Sequence, residues 1–359
     1  MKIAVITCYH DPDYIRARTL RAGLKLVPGV RVIVIKNKHK GLLRYPEVIW
    51  KTWKARKNDK PDAYLLTFRG QEILPLILLL AGKKPVFFDE FIVPISYATG
   101  ENHQKSFGIR LKYFLARLSE PMYRSWLKRC RVILSDTLAH GELSARSSRM
   151  NMRKYLPVPV GADETLFKPG ARSVGDKFQV FYYSSDMQPL HGFDTVLEAA
   201  TLLHGQENIE FLISGGKRHL KSAVAAANKL GANIRYESWI DFDKLPATML
   251  ASGVCLGGPF GDTPQANSVI TGKTYQSLAC SVPTIVGSSY ATDEFFVNKQ
   301  NALVVPQADA PALAKAITWA AKNPKELQQI GGNGRKLYDK SFSNAAIAQK
   351  LRRLSEVIS

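Results

Sequence analysis

Residues 259–280 read PFGDTPQANSVITGKTYQSLAC. A polar loop punctuated by Gly and Pro runs into a short helix that opens at Lys273. The backbone N–H groups of residues 269–273, the positive end of the helix and the Lys273 ammonium converge on one place, and a diphosphate suits it. Ser268, Val269 and Ile270 form the approach, where the N–H groups act whatever the side chain. Gln276 lies at i,i+3 from Lys273 on the same face and offers both a donor and an acceptor to ring hydroxyls. The plainer reading makes Lys273 a surface cation and Gln276 part of a polar helix face.

Four other loops carry polar groups at strand ends. In FYYSSDMQPLHGFDTVLEAATLL (residues 181–203) a strand passes through Ser185 to a Pro-Leu-His-Gly corner that starts a helix. His191 stands where an anion would meet the helix N-terminus, or serves as a cap. In FLISGGKRHL (211–220), Gly215 and Gly216 allow a close backbone approach or simply a tight turn. Trp239 follows a further strand, where its indole walls a flat base or packs in the core. Near the start, CYHDPDYIRARTLRAGL (8–24) delivers Arg16, Arg18 and Arg21 to the beginning of a helix. Arg16 or Arg18 suits an anion, although 16, 18 and 21 cannot share one face. The Asp11/Asp13 and Asp241/Asp243 pairs, beside Pro or on turns, read as turn formers rather than a metal site.

The elements that must position these loops alternate. Residues 2–8, 30–35, 63–68, 85–88 and 132–135 read as strands, with helix-period stretches such as 16–26 and 106–129 between them. Residues 73–82 (ILPLILLLAG) read as a buried helix. The series restarts with strands at 178–183, 209–214, 233–237, 253–256 and 284–286, and helices at 193–203, 219–230 and 273–280. Between the two series lies KYLPVPVGADETLFKPGARSVGD (154–176), rich in Pro and Gly. The expectation is α/β: two doubly wound domains, 1–170 and 171–341, with a C-terminal helix at 342–359 that packs back on the first. Ligands in such sheets bind beyond the carboxyl ends of the strands.

The chain of 359 residues is 45% hydrophobic, enough for two cores. No apolar run reaches the roughly 20 residues of a membrane span. The opening residues read as a strand and its turn rather than a signal peptide. Four scattered cysteines imply reduced core thiols in a cytoplasmic protein. The net charge of +20 is concentrated: residues 1–60 hold fifteen Lys/Arg against four Asp/Glu. Such a field attracts phosphates on nucleotides, nucleic acid or lipid headgroups. Residues 105–131 interleave Phe107, Leu111, Phe114, Tyr123 and Trp126 with cations, a pattern suited to an anionic membrane surface or to an ordinary helix pair.

Taken together, these loops resemble the retaining glycosyltransferases of family 4 (group 1), with the GT-B fold of two facing Rossmann-like domains and a cleft between them. VPVGADETLFKP (158–169) is similar to the family's hinge sequence. NALVVPQADAPALAKAI (301–317) and LQQIGGNGRKLYDKSFS (327–343) resemble its end pattern, and SDMQPLHG (185–192) resembles relatives that carry P-L-H-G instead of the K-G signature. The family's E-x7-E loop aligns on Ser268 and Gln276, and its diphosphate-gripping Arg and Lys fall on Asp186 and His191. The resemblance implies catalytic roles for His191 and, in place of a first-domain His, Asp89. It implies donor contacts at Arg16, Arg18, Ser185, Gly215, Gly216, Trp239, Ser268, Val269, Ile270, Lys273 and Gln276.

The expected activity is metal-independent, cofactor-free, retaining transfer of a hexosyl group from a UDP- or GDP-sugar to a glycan or lipid-linked hydroxyl. The setting implied is cytoplasmic cell-envelope glycan synthesis, peripheral on the inner membrane face through residues 105–131. The rivals are a GT-B-like protein that binds nucleotide sugars without transferring them, and a basic nucleic-acid-binding protein. The latter lacks the usual modules and a stacking platform, so no nucleic-acid partner is expected.

Overall fold

The computed structural model describes residues 1–91, 120–173, 175–184, 188–215 and 218–358. They form two compact units: residues 1–161 with 343–359, and residues 162–342. The division falls at Gly161 rather than near 170, because Val158 and Val160 bury in the first unit while Phe167 buries in the second. Segment 343–359 belongs to the first unit.

The first unit holds a six-stranded parallel sheet in the order β2-β1-β3-β4-β5-β6. Its strands are β1 (Lys2–Thr7), β2 (Arg31–Lys36), β3 (Ala63–Leu66), β4 (Val86–Asp89), β5 (Val132–Ser135) and β6 (Tyr155–Pro157). A parallel sheet covered on both faces demands near-continuous apolar strands, and β3, β4 and β5 are buried at every position. Side chains alternate across β1. Ile3 and Val5 join a core with Leu20 and Leu24 of α1 (Ile15–Lys25), whereas Ala4 and Ile6 join one with Val48 of α2 (Arg44–Asn58) and Ile77 of α3 (Leu74–Ala81). Residues 120–129 form helix α4, and Leu138–Ser148 forms α5, whose N-cap Thr137 accepts from the His140 N–H. The apolar segment at 73–82 is buried on one side only: Leu74, Ile77 and Leu78 face the core, while Leu76 and Leu79 are exposed.

The second unit holds another parallel sheet, ordered β12-β11-β10-β7-β8-β9. Its strands are β7 (Phe178–Ser184), β8 (Ile209–Gly215), β9 (Ile234–Glu237), β10 (Val254–Leu256), β11 (Thr284–Gly287) and β12 (Leu303–Val305). Helices α6 (Phe193–Leu202), α7 (Arg218–Lys229), α8 (Leu245–Leu250), α9 (Gly272–Ala279), α10 (Ala310–Lys322) and α11 (Pro324–Ser341) connect and cover it. Helix α10 starts at an Asp309 side chain that accepts from the Ala312 N–H at 2.8 Å.

The last helix, α12 (Asn344–Glu356), lies on α1. Ile347, Leu351 and Leu354 are fully buried there. The approach is close because Gly23 has no side chain: a Cβ there would come within 2.6 Å of Ile347 Cγ2. All four cysteines are free and buried. No helix among the described residues is long and apolar enough to cross a membrane. Of the stretch 105–131, residues 105–119 lie outside the described residues. Its described part corrects the expected aromatic face: Tyr123 is buried with its hydroxyl on Glu90 at 2.7 Å, and Trp126 packs against the core.

Candidate functional site

The sheet of the second unit reverses its winding between β7 and β10, the place where a doubly wound sheet opens a crevice at its carboxyl edge. The loops after these two strands interlock. The Gly261 N–H donates to the Leu190 carbonyl at 3.1 Å. Gly192 adopts φ +62°, and a Cβ there would meet the Phe260 carbonyl carbon at 2.3 Å. A Cβ on Gly261 would meet the Pro189 carbonyl oxygen at 2.1 Å. The Pro-Leu-His-Gly corner therefore fits as a backbone shape, with two glycines letting two loops touch.

Helix α9 starts against the same loops. Thr271 occupies its N-cap position, yet its hydroxyl donates to the Gly257 carbonyl at 2.5 Å and caps nothing. The first-turn N–H groups are thus without a side-chain cap. Lys273, one residue into the helix, is buried. Its ammonium lies 3.9 Å from the centre of the Tyr182 ring and donates to the Tyr183 carbonyl at 3.3 Å. Burial pushes its pKa from 10.5 down to about 7, with no charged partner contributing among the described residues. A cation at the positive end of a helix and out of water is doubly disfavoured. An anion placed there relieves both costs.

The neighbours of Lys273 form one chain of contacts. The Tyr182 hydroxyl donates to the His191 carbonyl at 3.2 Å, and the Tyr183 hydroxyl donates to Oε1 of the buried Gln276. The Gln276 acceptor expected for a ligand is therefore occupied inside the protein; its amide nitrogen is the end that suits a ligand. The Ser268 hydroxyl turns back to the Gln265 carbonyl at 3.1 Å, Val269 is half-buried and Ile270 is buried. His191 is half-buried at the corner. Sequence reading missed Tyr182 and Tyr183. Their signal was present, since two consecutive tyrosines stand just before the end of the strand that feeds the crevice.

Other expected contacts do not gather here. Gly215 ends β8, where its carbonyl accepts from the Tyr236 hydroxyl at 2.5 Å. Trp239 follows edge strand β9, two strands and roughly 10 Å from β7 by sheet spacing, and is 59% exposed, which corrects its core reading. Ser185 and Gly216 lie outside the described residues, as does Asp186.

In the first unit, two expectations need correction. Arg16 is 0% exposed, and its donors are all taken: Asp89 receives Nε at 3.0 Å and Nη2 at 2.8 Å, and Nη1 reaches the Val158 and Pro159 carbonyls. A second Nη2 contact runs to the Ser135 carbonyl at 3.4 Å. Arg16 is a strut joining the strand ends, not a phosphate contact. Asp89 is equally buried, with both carboxylate oxygens accepting from Arg16 and Oδ2 also accepting from the Phe68 N–H at 3.2 Å. Neither reading could be separated from the other in sequence, because charge is visible there and burial is not. Arg18 stands on the exposed side of α1. Asp13 pairs with Arg21 and Lys36, each at 2.6 Å, and Asp241 pairs with Lys244 at 3.0 Å. Among the described residues no group of three or more His, Cys, Asp or Glu comes together as metal ligands do.

Beyond the carboxyl ends of β1 and β3 is a second feature that sequence reading did not collect. Tyr14 stacks on Phe68 with ring centres 4.8 Å apart, and Tyr9 and Phe91 meet Phe68 edge-on at 4.8 and 4.9 Å.

Residues 178–323 match the family described as Glycosyl transferases group 1. No curated protein matches the chain. Among solved structures, sucrose-phosphate synthase from Thermosynechococcus elongatus superposes with a TM-score of 0.76 at 17% identity, covering 99% of this chain and 98% of that one. Anabaena Alr3699/HepE in complex with UDP-glucose gives 0.72 at 12%, covering 99% and 100%. A glycosyltransferase from Rickettsia africae ESF-5 gives 0.68 at 13%, covering 99% and 98%. These likenesses establish the GT-B fold over the whole chain, and the group 1 match lies in its second unit. The chain is similar to glycosyltransferases in its second unit and shares the GT-B fold.

Proposed function

We propose that the protein moves a hexosyl group from a nucleoside diphosphate sugar to a hydroxyl of a glycan or lipid-linked acceptor, with retention at the anomeric carbon and without a metal. The observation that carries this reading is Lys273, a buried amine held at about pH 7 character beside an uncapped helix start. The diphosphate lies on the α9 N–H groups with Lys273 against it. Charge builds on the leaving phosphate oxygen as the glycosidic bond breaks, and these donors stabilise it where it forms. The departing oxygen takes the proton of the attacking hydroxyl on the same face, so the configuration is kept. The positive charge that a metal would bring comes from Lys273 and the helix end. His191 borders the sugar from the Pro-Leu-His-Gly corner, and the Gln276 amide nitrogen reaches a ribose hydroxyl. The Anabaena protein's complex with UDP-glucose favours uridine over guanosine. A cytoplasmic protein of net charge +20 suits work at the inner face of a membrane, on envelope glycans.

Titration calorimetry with UDP and GDP in EDTA tests the donor site. UDP binds, and Lys273→Met weakens it by about ten- to a hundredfold, the size of a lost charge-assisted hydrogen bond. Silence with both nucleotides overturns the reading. A second reading, binding without transfer, is favoured by Ser268, whose hydroxyl faces the protein where relatives of the resembled family carry a carboxylate. UDP-sugar binding with no donor hydrolysis and no product on any acceptor would select it.

A further inference from the structure

We propose that the outer face of α2, with the turn before it, docks the protein on an anionic lipid surface. Helix α2 buries Val48, Thr52 and Ala55. Positions 46, 50, 53 and 57 recur at i, i+4, i+7 and i+11, so Pro46, Trp50, Trp53 and Lys57 form the stripe opposite. Trp50 and Trp53 are 55% and 43% exposed. In the turn that leads into the helix, Leu42 and Leu43 are 81% and 65% exposed. Two large indoles and two leucines turned to water within twelve residues exceed the scattered apolar exposure usual on a surface.

The charge around them identifies the occupant. Residues 36–60 carry nine Lys/Arg against two Asp/Glu. The Lys57 ammonium sits 4.0 Å from the Trp53 ring centre and the Lys54 ammonium 5.4 Å from that of Trp50. Each indole thus carries a cation at its side, the arrangement that sits well at headgroup depth: ring among the acyl-chain ends, ammonium on a phosphate. The adjacent helix α3 continues the pattern, with Leu76 and Leu79 exposed and Lys83 and Lys84 just beyond. A sugar platform would flank its tryptophans with amides and carboxylates that bond hydroxyls. Here the flanks are cations, and the leucines have no hydrogen-bonding capacity.

This surface deepens the membrane setting proposed above and stands apart from the donor site, because vesicle binding and UDP binding are separate measurements. The test is flotation of the full chain with phosphatidylcholine vesicles, with and without phosphatidylglycerol. The protein floats with the anionic vesicles and stays behind with neutral ones, and added salt weakens the association. Trp50→Ser/Trp53→Ser and, separately, Lys54→Glu/Lys57→Glu each lower vesicle affinity at least tenfold, with the far-UV spectrum and UDP titration unchanged. The proposal is overturned if wild type ignores anionic vesicles, or if both double variants float as well as wild type. It is also overturned if a soluble polyanion binds with the same tryptophan dependence while vesicles do not.

Discussion

At the scale of single residues, Lys273 was legible and its condition was not. A lysine at a strand-to-helix corner announces anion chemistry, but sequence does not reveal that Tyr182 and Tyr183 close over it and keep water out. That burial has a measurable sign. In the folded protein the amine is neutral above about pH 7, whereas the unfolded chain keeps it charged to 10.5. The unfolded state therefore holds more protons between those limits, and this group makes the ligand-free protein more stable as pH rises through them. Nucleotide binding runs the other way, since the diphosphate requires the ammonium and draws in a proton. We expect UDP affinity to fall by up to about tenfold per unit above pH 7, with proton uptake visible in buffers of different ionisation enthalpy. Lys273→Met flattens the profile; a slope unchanged in that variant would show that another group titrates. Arg16 and Asp89 illustrate the opposite case. Their types and loop positions suggested chemistry, and only the fold shows each answering the other.

At the scale of elements, most strands and several helices were readable because parallel strands buried on both faces are apolar throughout. The two missed strands, β6 and β12, are three residues each, the one ending in Pro157 and the other followed by Pro306, too short for any periodicity to register. Helix α2 was seen only as charge, since its buried stripe is thin and its tryptophans face outward. The Pro-Leu-His-Gly corner was noticed for its histidine, yet its glycine has the clearer structural task. Gly192→Ala must place a Cβ in left-handed backbone and against the Phe260 main chain. The expected cost is about 2–4 kcal/mol, with UDP binding lost as the two loops separate. Gly205→Ala is the control, at φ +79° with nothing within 4 Å of its Cβ. It costs only the backbone term and leaves UDP affinity intact. Equal effects from the two substitutions in chemical denaturation would remove the interlock from the account.

At the scale of the whole molecule, the chain builds one unit from two distant segments. The Pro- and Gly-rich connection at 154–176 was visible, and so was a C-terminal helix expected to return to the first domain; that return rests on the fit of α12 to Gly23, a contact more than three hundred residues apart in sequence. Ile347→Ala or Leu351→Ala should cost about 2–5 kcal/mol each. Hydrogen exchange should show the loss in α1 and the strands beneath it, while the second unit keeps its protection. Uniform loss across both units would mean that they unfold as one. The same arrangement sets an order of events during synthesis. Residues 162–342 leave the ribosome complete and ready to close, while the earlier-made half must wait with Leu20 and Leu24 uncovered until the final helix emerges. The half made first is finished last, and for that interval it is the part of the nascent chain that chaperones would have to guard.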